Sequence, residues 1–273
     1  MGIARINRRG REMKSPANQV DCYDYPQYWD LAFRSETQRE ADFIEAAAQK
    51  YCDFPVRRLL EPGCGGGRLV IEMAARGFDM TGYDLNERAI KYVWRRLARR
   101  DLHASVFVGD MTAVHMMRPV DAAFNTLNTF RHLTSEDDAR KHLELTAESL
   151  RRGGIYVLGF HLLPPDAEET CIERWSARHG TTRVAVTLRV LDFDRRRRIE
   201  VIRFSLRVRS GKRDLRITAD YEYRIYQAHQ FRRLLDTVPQ FELCDVYDFW
   251  YDIDDPLRLD NNLGDAVFVL RRR

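Results

Sequence analysis

The fold of this chain is decided by residues 59–67, whose sequence is LLEPGCGGG. Two leucines end an apolar strand, an acid follows, and a glycine-dense turn leads into a helix predicted over residues 68–76. Because glycine lacks Cβ and adopts positive φ, such a turn lets the backbone approach a ligand closely. The first N–H groups of the following helix point to the same place. The stretch therefore predicts a βα unit with a ligand-binding turn.

The spacing of the glycines separates two kinds of nucleotide site. A nicotinamide dinucleotide site expects G-x-G-x-x-G, and here Arg68 stands where the third glycine belongs. This departure disfavours a nicotinamide-dependent oxidoreductase, although that class stays open as an alternative. The chain has instead an acid followed by three alternating glycines, at Glu61, Gly63, Gly65 and Gly67.

An acid closes the next predicted strand, residues 78–84. This acid, Asp84, lies about twenty residues beyond the glycine turn, where a nucleotide-binding α/β unit places one. A carboxylate at that strand end can accept both ribose hydroxyls of an adenosine. The alternative is that Asp84 only caps the next helix, for which Asn86 is also a suitable cap.

Two further strands end in polar residues. Residues 106–111 end in Gly-Asp-Met, with the acid at Asp110, and residues 120–128 end in a cluster that contains Asn125 and Asn128. In a parallel sheet these strand ends share one edge, so we expect them to border the same site as the glycine turn.

These four segments, in this order and at this spacing, resemble the class I S-adenosylmethionine-dependent methyltransferase family. The likeness covers residues 35–160 and 224–273. It implies an α/β, Rossmann-like fold with a seven-stranded, mostly parallel sheet, an antiparallel last strand and S-adenosylmethionine as cofactor. A helix over residues 135–151, a buried strand over 155–160 and closing strands over 241–248 and 265–270 fit this pattern.

The resemblance also implies which residues hold the cofactor. Asp84 would accept from the ribose, Asp110 from the adenine amino group, and Met111 would lie beside the ring. Tyrosines of an N-terminal aromatic segment, Tyr28 among them, cover the methionine end in related enzymes. The whole predicted set is Glu61, Gly63, Gly65, Gly67, Asp84, Leu85, Asp110, Met111, Asn125 and Tyr28, and no metal site is predicted.

Methyl transfer asks the protein mainly for positioning and for a dry site. The acceptor must lie in line with the S–CH₃ bond, about 3 Å from the methyl carbon. An amine must be neutral to attack, so a general base or desolvation can assist. The catalytic candidates that follow the fourth and fifth strands are His132, His161 and Asn128, and for His132 a purely structural place in a helix is the alternative.

Three segments between the fifth strand and the last helix alternate between apolar and polar residues. They are residues 182–191, 199–209 and 215–225, and they predict an inserted antiparallel β-meander with one covered face. Small-molecule N-methyltransferases similar to this chain carry such an insert over the active site. We expect a lid or pocket wall, while a structural sheet or a homodimer interface stays open. Trp175, Trp250 and Tyr251 are candidates for the pocket lining.

The predicted organisation has three parts. Residues 1–34 form an N-terminal tail and an aromatic segment that covers the cofactor. Residues 35–169 and 224–273 form the cofactor-binding core, and residues 170–223 form the inserted lid or oligomerisation element. Met1–Lys14 is basic but lacks the apolar core of a signal peptide, so we expect an unpacked tail.

Composition restricts the partners and the location. All but five of the 45 basic residues are arginine, and they are interspersed with 41 acids, which disfavours nucleic acid as the acceptor. No apolar run reaches the roughly 18 residues of a membrane span, so no membrane partner is predicted. Five scattered cysteines without a C-x-x-C pair favour a reducing, cytoplasmic location and disfavour structural zinc.

We therefore expect an S-adenosylmethionine-dependent methyltransferase that acts on a nitrogen or oxygen atom of a small molecule. A second class remains open, a non-catalytic binder of S-adenosylmethionine or S-adenosylhomocysteine with a closed acceptor pocket.

Overall fold

The computed structural model describes residues 21–273, so the predicted tail Met1–Lys14 lies outside the described residues. Within this range the strands are numbered in chain order. They are β1 (Arg58–Pro62), β2 (Asp79–Asp84), β3 (Ala104–Val108), β4 (Val120–Asn125), β5 (Leu150–His161), β6 (Ile172–His179), β7 (Thr182–Asp194), β8 (Ile199–Ser210), β9 (Arg213–Arg224), β10 (Phe241–Tyr247) and β11 (Asp265–Arg272). They form one sheet of seven strands and one of four.

The seven-stranded sheet has the order β10-β11-β5-β4-β1-β2-β3. Strand β1 pairs in parallel with β2 and β4, β4 pairs in parallel with β5, and β2 pairs in parallel with β3. Only β11 runs against its neighbours β5 and β10. The predicted Rossmann-like sheet, mostly parallel with an antiparallel last strand, is confirmed. The carboxyl ends of β1 to β5 and the start of β11 therefore meet at one edge.

Helices cover both faces of this sheet. In chain order the helices are α1 (Pro26–Ala32), α2 (Thr37–Tyr51), α3 (Arg68–Ala75), α4 (Glu87–Arg99), α5 (Glu136–Ser149) and α6 (Ala228–Asp236), and all of them except α1 pack on this sheet. Successive side chains of β1 point to opposite faces, so Leu59 packs with α2, α3 and α4 while Leu60 packs with α5 and α6. The result is a three-layer α/β core in which the sheet is buried on both sides.

Strand β5 begins earlier than the sequence pattern predicts. The helix predicted to run to Arg151 ends at Ser149, and Leu150 already pairs with Val120 of β4. Pairing with the buried strand β4 determines the conformation of this stretch. Gly153, which was expected to stop the helix, lies inside β5 with φ 76°. The local helix signal is overridden by the tertiary context.

The four-stranded sheet is antiparallel, in the order β6-β7-β8-β9. The predicted meander of three strands lacks β6, whose residues are largely exposed at the sheet edge and so show no clean alternation. The covered face packs on helix α1 and on a 3-10 turn at Cys22–Asp24. This N-terminal segment is therefore held between the inserted sheet and the core.

None of the helices within residues 21–273 combines the length and apolarity needed to span a bilayer.

Candidate functional site

A cavity of about 1020 Å³ opens at the edge where the strand ends meet. Its wall includes the glycine turn after β1, the ends of β2, β4 and β5, and residues of the four-stranded sheet. The N-terminal segment contributes Tyr23 and Trp29. The cavity thus has one half on the main sheet and another half beneath the inserted sheet.

The glycines of the turn have different roles. Gly65 has φ 51°, and a Cβ added to it would meet nothing within 4 Å, so this residue borders the open cavity. A Cβ on Gly63 would lie 2.6 Å from Cγ2 of Thr129. Gly67, also predicted to bind the cofactor, is not part of the cavity wall. A Cβ added to it would lie 2.7 Å from Cγ2 of Val93, so this glycine leaves room for helix α4.

Asp84 is fixed against the glycine turn. Its Oδ2 accepts the N–H of Gly65 at 2.8 Å, and its Oδ1 accepts the N–H of Asn86 at 2.8 Å. The cap of α4 is Asn86, whose side chain accepts from Arg88 and Ala89. Burial raises the pKa of Asp84, and its two hydrogen bonds oppose that rise. The carboxylate is therefore preorganised on the cavity wall with lone pairs left for a ligand.

Two buried acceptors on the same wall lack a donor. Oε2 of Glu61 and Oδ1 of Asn125 have no hydrogen-bond partner among the described residues, although Nδ2 of Asn125 donates to the carbonyl of Pro62 at 2.8 Å. Such orphaned groups cost free energy unless a ligand satisfies them. Both residues line the cavity, so a ligand with an ammonium group matches this end of it.

The charged residues near Glu61 also favour a cationic ligand. Arg68 lies 2.6 Å from Glu40, which also accepts from the hydroxyl of Thr126. Burial raises the pKa of Glu40 and raises that of Glu61 well above its usual range, while Arg68 lowers both. One guanidinium thus serves two buried carboxyl groups, and a cationic ligand would supply the missing positive charge.

The predicted adenine end is only partly on the cavity wall. Gly109 and Met111 line the cavity, but Asp110 does not. Oδ1 of Asp110 instead accepts hydrogen bonds from the N–H and the hydroxyl of Thr112, at 2.7 and 2.8 Å. Strand β3 ends at Val108, so Asp110 shapes the turn beyond the strand. Leu85, another predicted contact, lines the cavity and is 67% exposed.

The N-terminal aromatic residues differ in whether they reach the cavity wall. Tyr28 is absent from the cavity wall and stacks on Tyr25, with ring centroids 5.9 Å apart. Tyr23 and Trp29 line the cavity instead. The role predicted for Tyr28 therefore has no support in the geometry of the cavity.

His132 meets the N-terminal segment across the cavity wall. Its Nε2 lies 2.9 Å from the hydroxyl of Tyr23, which is also 3.4 Å from the hydroxyl of Tyr223 on β9. Burial, with a smaller contribution from the neighbouring Arg131, lowers the pKa of His132 to about 4. The imidazole is neutral near pH 7 and can accept the hydrogen bond of Tyr23.

Asn128 and His161 connect the ends of β4 and β5. Asn128 has φ 55°, its N–H donates to the carbonyl of Gly159 at 3.0 Å, and its Oδ1 accepts the backbone N–H of His161 at 2.9 Å. These bonds give Asn128 a structural role at the cavity wall. The His161 ring contacts Asp265, with Nδ1 and Oδ1 2.7 Å apart.

Of the predicted acceptor-pocket aromatics, only Trp175 lines the cavity. Trp250 is 74% exposed, and Tyr251 is buried with its hydroxyl donating to the carbonyl of Thr126 at 3.0 Å. Both lie in the segment after β10, outside the cavity wall.

The sequence did not predict two residues that lie at the site. Glu200 forms a buried ion pair with Arg131, and both residues line the cavity. A signal existed, because Glu200 falls in the apolar phase of β8 with Ile202 and Phe204. Asp265 offered no local signal, since only the pairing of β5 with β11 brings it to His161.

Comparison with known proteins relates this chain to methyltransferases. Residues 59–154 match the family model described as a methyltransferase domain. This stretch of the chain is a methyltransferase domain by that match. The matched residues include the glycine turn, Asp84, Asp110 and the end of β4, which are the segments that carried the resemblance.

The curated relatives of this chain are distant. A ubiquinone biosynthesis O-methyltransferase of Alkalilimnicola ehrlichii is 28% identical over 111 residues, which cover 41% of this chain and 44% of that enzyme. The chain spans about half the length of the curated relatives it matches.

Solved structures share the fold along most of the chain. An S-adenosylmethionine-dependent methyltransferase from Clostridium acetobutylicum has a TM-score of 0.74 at 15% identity, covering 92% of this chain and 99% of that one. An amino pentose methyltransferase from Micromonospora echinaspora has a TM-score of 0.68 at 18% identity, with coverages of 94% and 99%. At these identities the likeness shows the fold alone.

Proposed function

We propose that the chain transfers the methyl group of S-adenosylmethionine to a nitrogen or oxygen atom of a small molecule. The observation that carries this proposal is the cavity itself. Its main-sheet half has the glycine turn and Asp84, and its other half continues beneath the inserted sheet. One cavity therefore has room for a nucleoside-bearing donor and for an acceptor beside it.

The residues of the main-sheet half suit S-adenosylmethionine. Asp84 would accept from the ribose, and Met111 would lie against the adenine. The unpartnered oxygens of Glu61 and Asn125 would accept from the α-ammonium group. The bound donor supplies a methyl group on a positively charged sulfur, which is already a strong electrophile. The excess buried carboxylate around Arg68 also favours a cationic ligand over the dianionic pyrophosphate of a nicotinamide cofactor.

The second half of the cavity suits a small acceptor. Its walls include the aromatic residues Tyr23, Trp29, Trp175 and Phe204. The indole N–H groups of Trp29 and Trp175 are buried without partners among the described residues, and acceptor oxygens could satisfy them. At about 1020 Å³ the cavity reaches the upper end of the range of about 300–1,000 Å³ typical of ligand sites. A cavity of this size lined by aromatic side chains fits a small molecule better than a nucleic acid strand.

The inserted sheet is proposed as the roof of the acceptor half. The buried Arg131–Glu200 pair joins the end of β4 to β8, and Tyr223 of β9 faces Tyr23. A roof fixed in this way excludes water from the methyl group's path. Relatives named for each atom support this range, since one is a ubiquinone biosynthesis O-methyltransferase and another is a glycine/sarcosine N-methyltransferase.

The proposal is tested by a methyl-transfer assay. The protein is incubated with S-adenosylmethionine labelled in its methyl group and with a panel of amino sugars, amino acids and phenols, and S-adenosylhomocysteine is measured by mass spectrometry. Acceptor-dependent S-adenosylhomocysteine, lost in Asp84→Ala and kept in Asp79→Ala, is the expected result. Asp79 is the matched control, because it is exposed at the opposite end of the same strand. Tight binding of the donor without turnover on any acceptor would favour the non-catalytic alternative.

A further inference from the structure

A histidine–carboxylate pair lies on the cavity wall at the joint of two strands. His161 ends β5 and Asp265 begins β11, and the two residues are direct partners in the antiparallel register. Nδ1 of His161 is 2.7 Å from Oδ1 of Asp265, and both residues line the cavity. Because an ionised carboxylate only accepts, a neutral imidazole in this contact has its proton on Nδ1 and a free lone pair on Nε2.

Two neighbours hold the ring of His161, and a third holds its backbone. Asp265 fixes Nδ1, Phe249 packs edge-on against the ring with centroids 5.0 Å apart, and Asn128 accepts the backbone N–H. Among residues 21–273, Nε2 has no protein hydrogen-bond partner, and the side chain is 40% exposed. An oriented imidazole with a free nitrogen is the geometry that proton abstraction requires.

We propose that His161, oriented by Asp265, is the general base that removes the proton from the methyl acceptor. This inference rests on the proposed function. The lone pair of the acceptor nitrogen or oxygen forms the bond to the methyl carbon, and the carbon–sulfur bond breaks with its electron pair on sulfur. The acceptor's proton moves to Nε2, Asp265 stabilises the imidazolium, and the exposed ring passes the proton to solvent.

The other histidine of the cavity is unsuited to this step. Nε2 of His132 is already occupied by the hydroxyl of Tyr23 at 2.9 Å. Its pKa, lowered to about 4 by burial, also makes it a weak base near neutral pH. His132 thus positions Tyr23, and the proton-accepting role on this wall is assigned to His161.

The charged surroundings support this division of roles. Asp265 is the charged group in contact with His161. On the acceptor side of the same wall the other titratable groups are Arg131, Glu200, His132, Glu168, Glu173, Asp21, Tyr23, Cys171 and Tyr223. Arg131 is paired with Glu200, so no unpaired cation of this set opposes an imidazolium at position 161.

A test without any acceptor uses the protein alone. Long-range ¹⁵N NMR of the histidine rings, assigned by comparison with His161→Gln, reports which ring nitrogen carries the proton. We expect the Nδ1–H form for His161 in the wild type and a shifted tautomer ratio in Asp265→Asn. An Nε2–H form in the wild type would overturn the proposal.

The kinetic test uses whichever acceptor of the panel gives turnover. His161→Gln should lower kcat by a factor on the order of 10²–10⁴ near neutral pH. Added imidazole should restore part of the rate, and calorimetry should show unchanged binding of S-adenosylmethionine. His229→Gln is the control, because His229 is exposed and contacts Asn261 away from the cavity. Wild-type rates in His161→Gln would overturn the dyad, whereas a wild-type protein without turnover would contradict the proposed function instead.

Discussion

The hydroxyl of Tyr23 lies 2.9 Å from Nε2 of His132, although the two residues are 109 positions apart in the chain. The same segment reaches the inserted sheet, where the hydroxyl of Tyr221 donates to Asp21. On its other side, Asp24 bonds to Arg88 at the start of α4 at 2.9 Å. The N-terminal segment therefore contacts both halves of the cavity.

The neutral state of His132 predicts a pH dependence of stability. Its folded pKa of about 4 lies below the ordinary value of 6.5, so the unfolded chain binds the extra proton first. The stabilisation is complete above pH 6.5 and is lost as the pH falls toward 4. Compared with His132→Gln, the wild type should lose about 2 kcal/mol more unfolding free energy between pH 7.5 and 5. Urea unfolding at both pH values measures this. Exposed His229→Gln should keep the wild-type slope, and an equal slope in His132→Gln would contradict the account.

Asp84 is predicted to carry donor binding. Asp84→Ala should weaken binding of S-adenosylmethionine by about 1.5–3 kcal/mol, the range for hydrogen bonds that involve a charged group. Asp84→Asn should lose less, because the amide oxygen can still accept. Calorimetric titration measures both, with Asp79→Ala as the control on the far end of β2. Unchanged affinity in Asp84→Ala would restrict this carboxylate to holding the turn.

The glycine turn predicts two separable effects of added methyl groups. Gly65 and Gly67 both have positive φ, so alanine at either position costs about 1–2 kcal/mol of strain. Gly65→Ala places its Cβ in the open cavity and should mainly reduce donor affinity. Gly67→Ala places its Cβ 2.7 Å from Val93 and should mainly reduce stability, by about 1–3 kcal/mol beyond the strain. Urea unfolding and titration on both variants decide the matter, and identical profiles would contradict the division.

The buried Arg131–Glu200 pair predicts how firmly the inserted sheet is anchored. Glu200→Ala leaves a buried guanidinium uncompensated and should cost about 3–5 kcal/mol in urea unfolding. Replacing both partners with methionine should recover much of that loss. Asp220→Ala is the matched control on the same sheet, since its exposed pair with Arg203 should contribute no more than about 1 kcal/mol. A loss in Glu200→Ala as small as in the control would show that the pair does not anchor the sheet.

The sequence predicts the main sheet well because its signals are local. The glycine turn, the acids at the carboxyl ends of β1 and β2 and the apolar strands each lie within a few residues of the structure they form. Strand β6 was missed because an exposed edge strand needs no alternation. The early start of β5 was missed because Val120, thirty positions away, determines it.

The site is less predictable than the fold, because more of its contacts join residues that are far apart in the sequence. The predictions of Gly65, Asp84 and Asn125 rest on strand ends, and these residues do line the cavity. The pairs Tyr23–His132 and His161–Asp265 join segments that are remote in sequence, so only the packed structure brings them together. The division of the chain at residues 34, 170 and 223, and the assignment of each site residue, stay predictions.

The most direct test of the central claim is titration calorimetry of the purified, ligand-free protein with four ligands. S-adenosylmethionine and S-adenosylhomocysteine should bind, and at a hundredfold excess over Kd they should stabilise the fold by about 2.7 kcal/mol in a parallel melting experiment. NAD and NADP should give neither heat nor a shift in Tm. Binding of the nicotinamide cofactors, or no binding of either sulfur ligand to protein shown by mass spectrometry to be empty, would contradict the account.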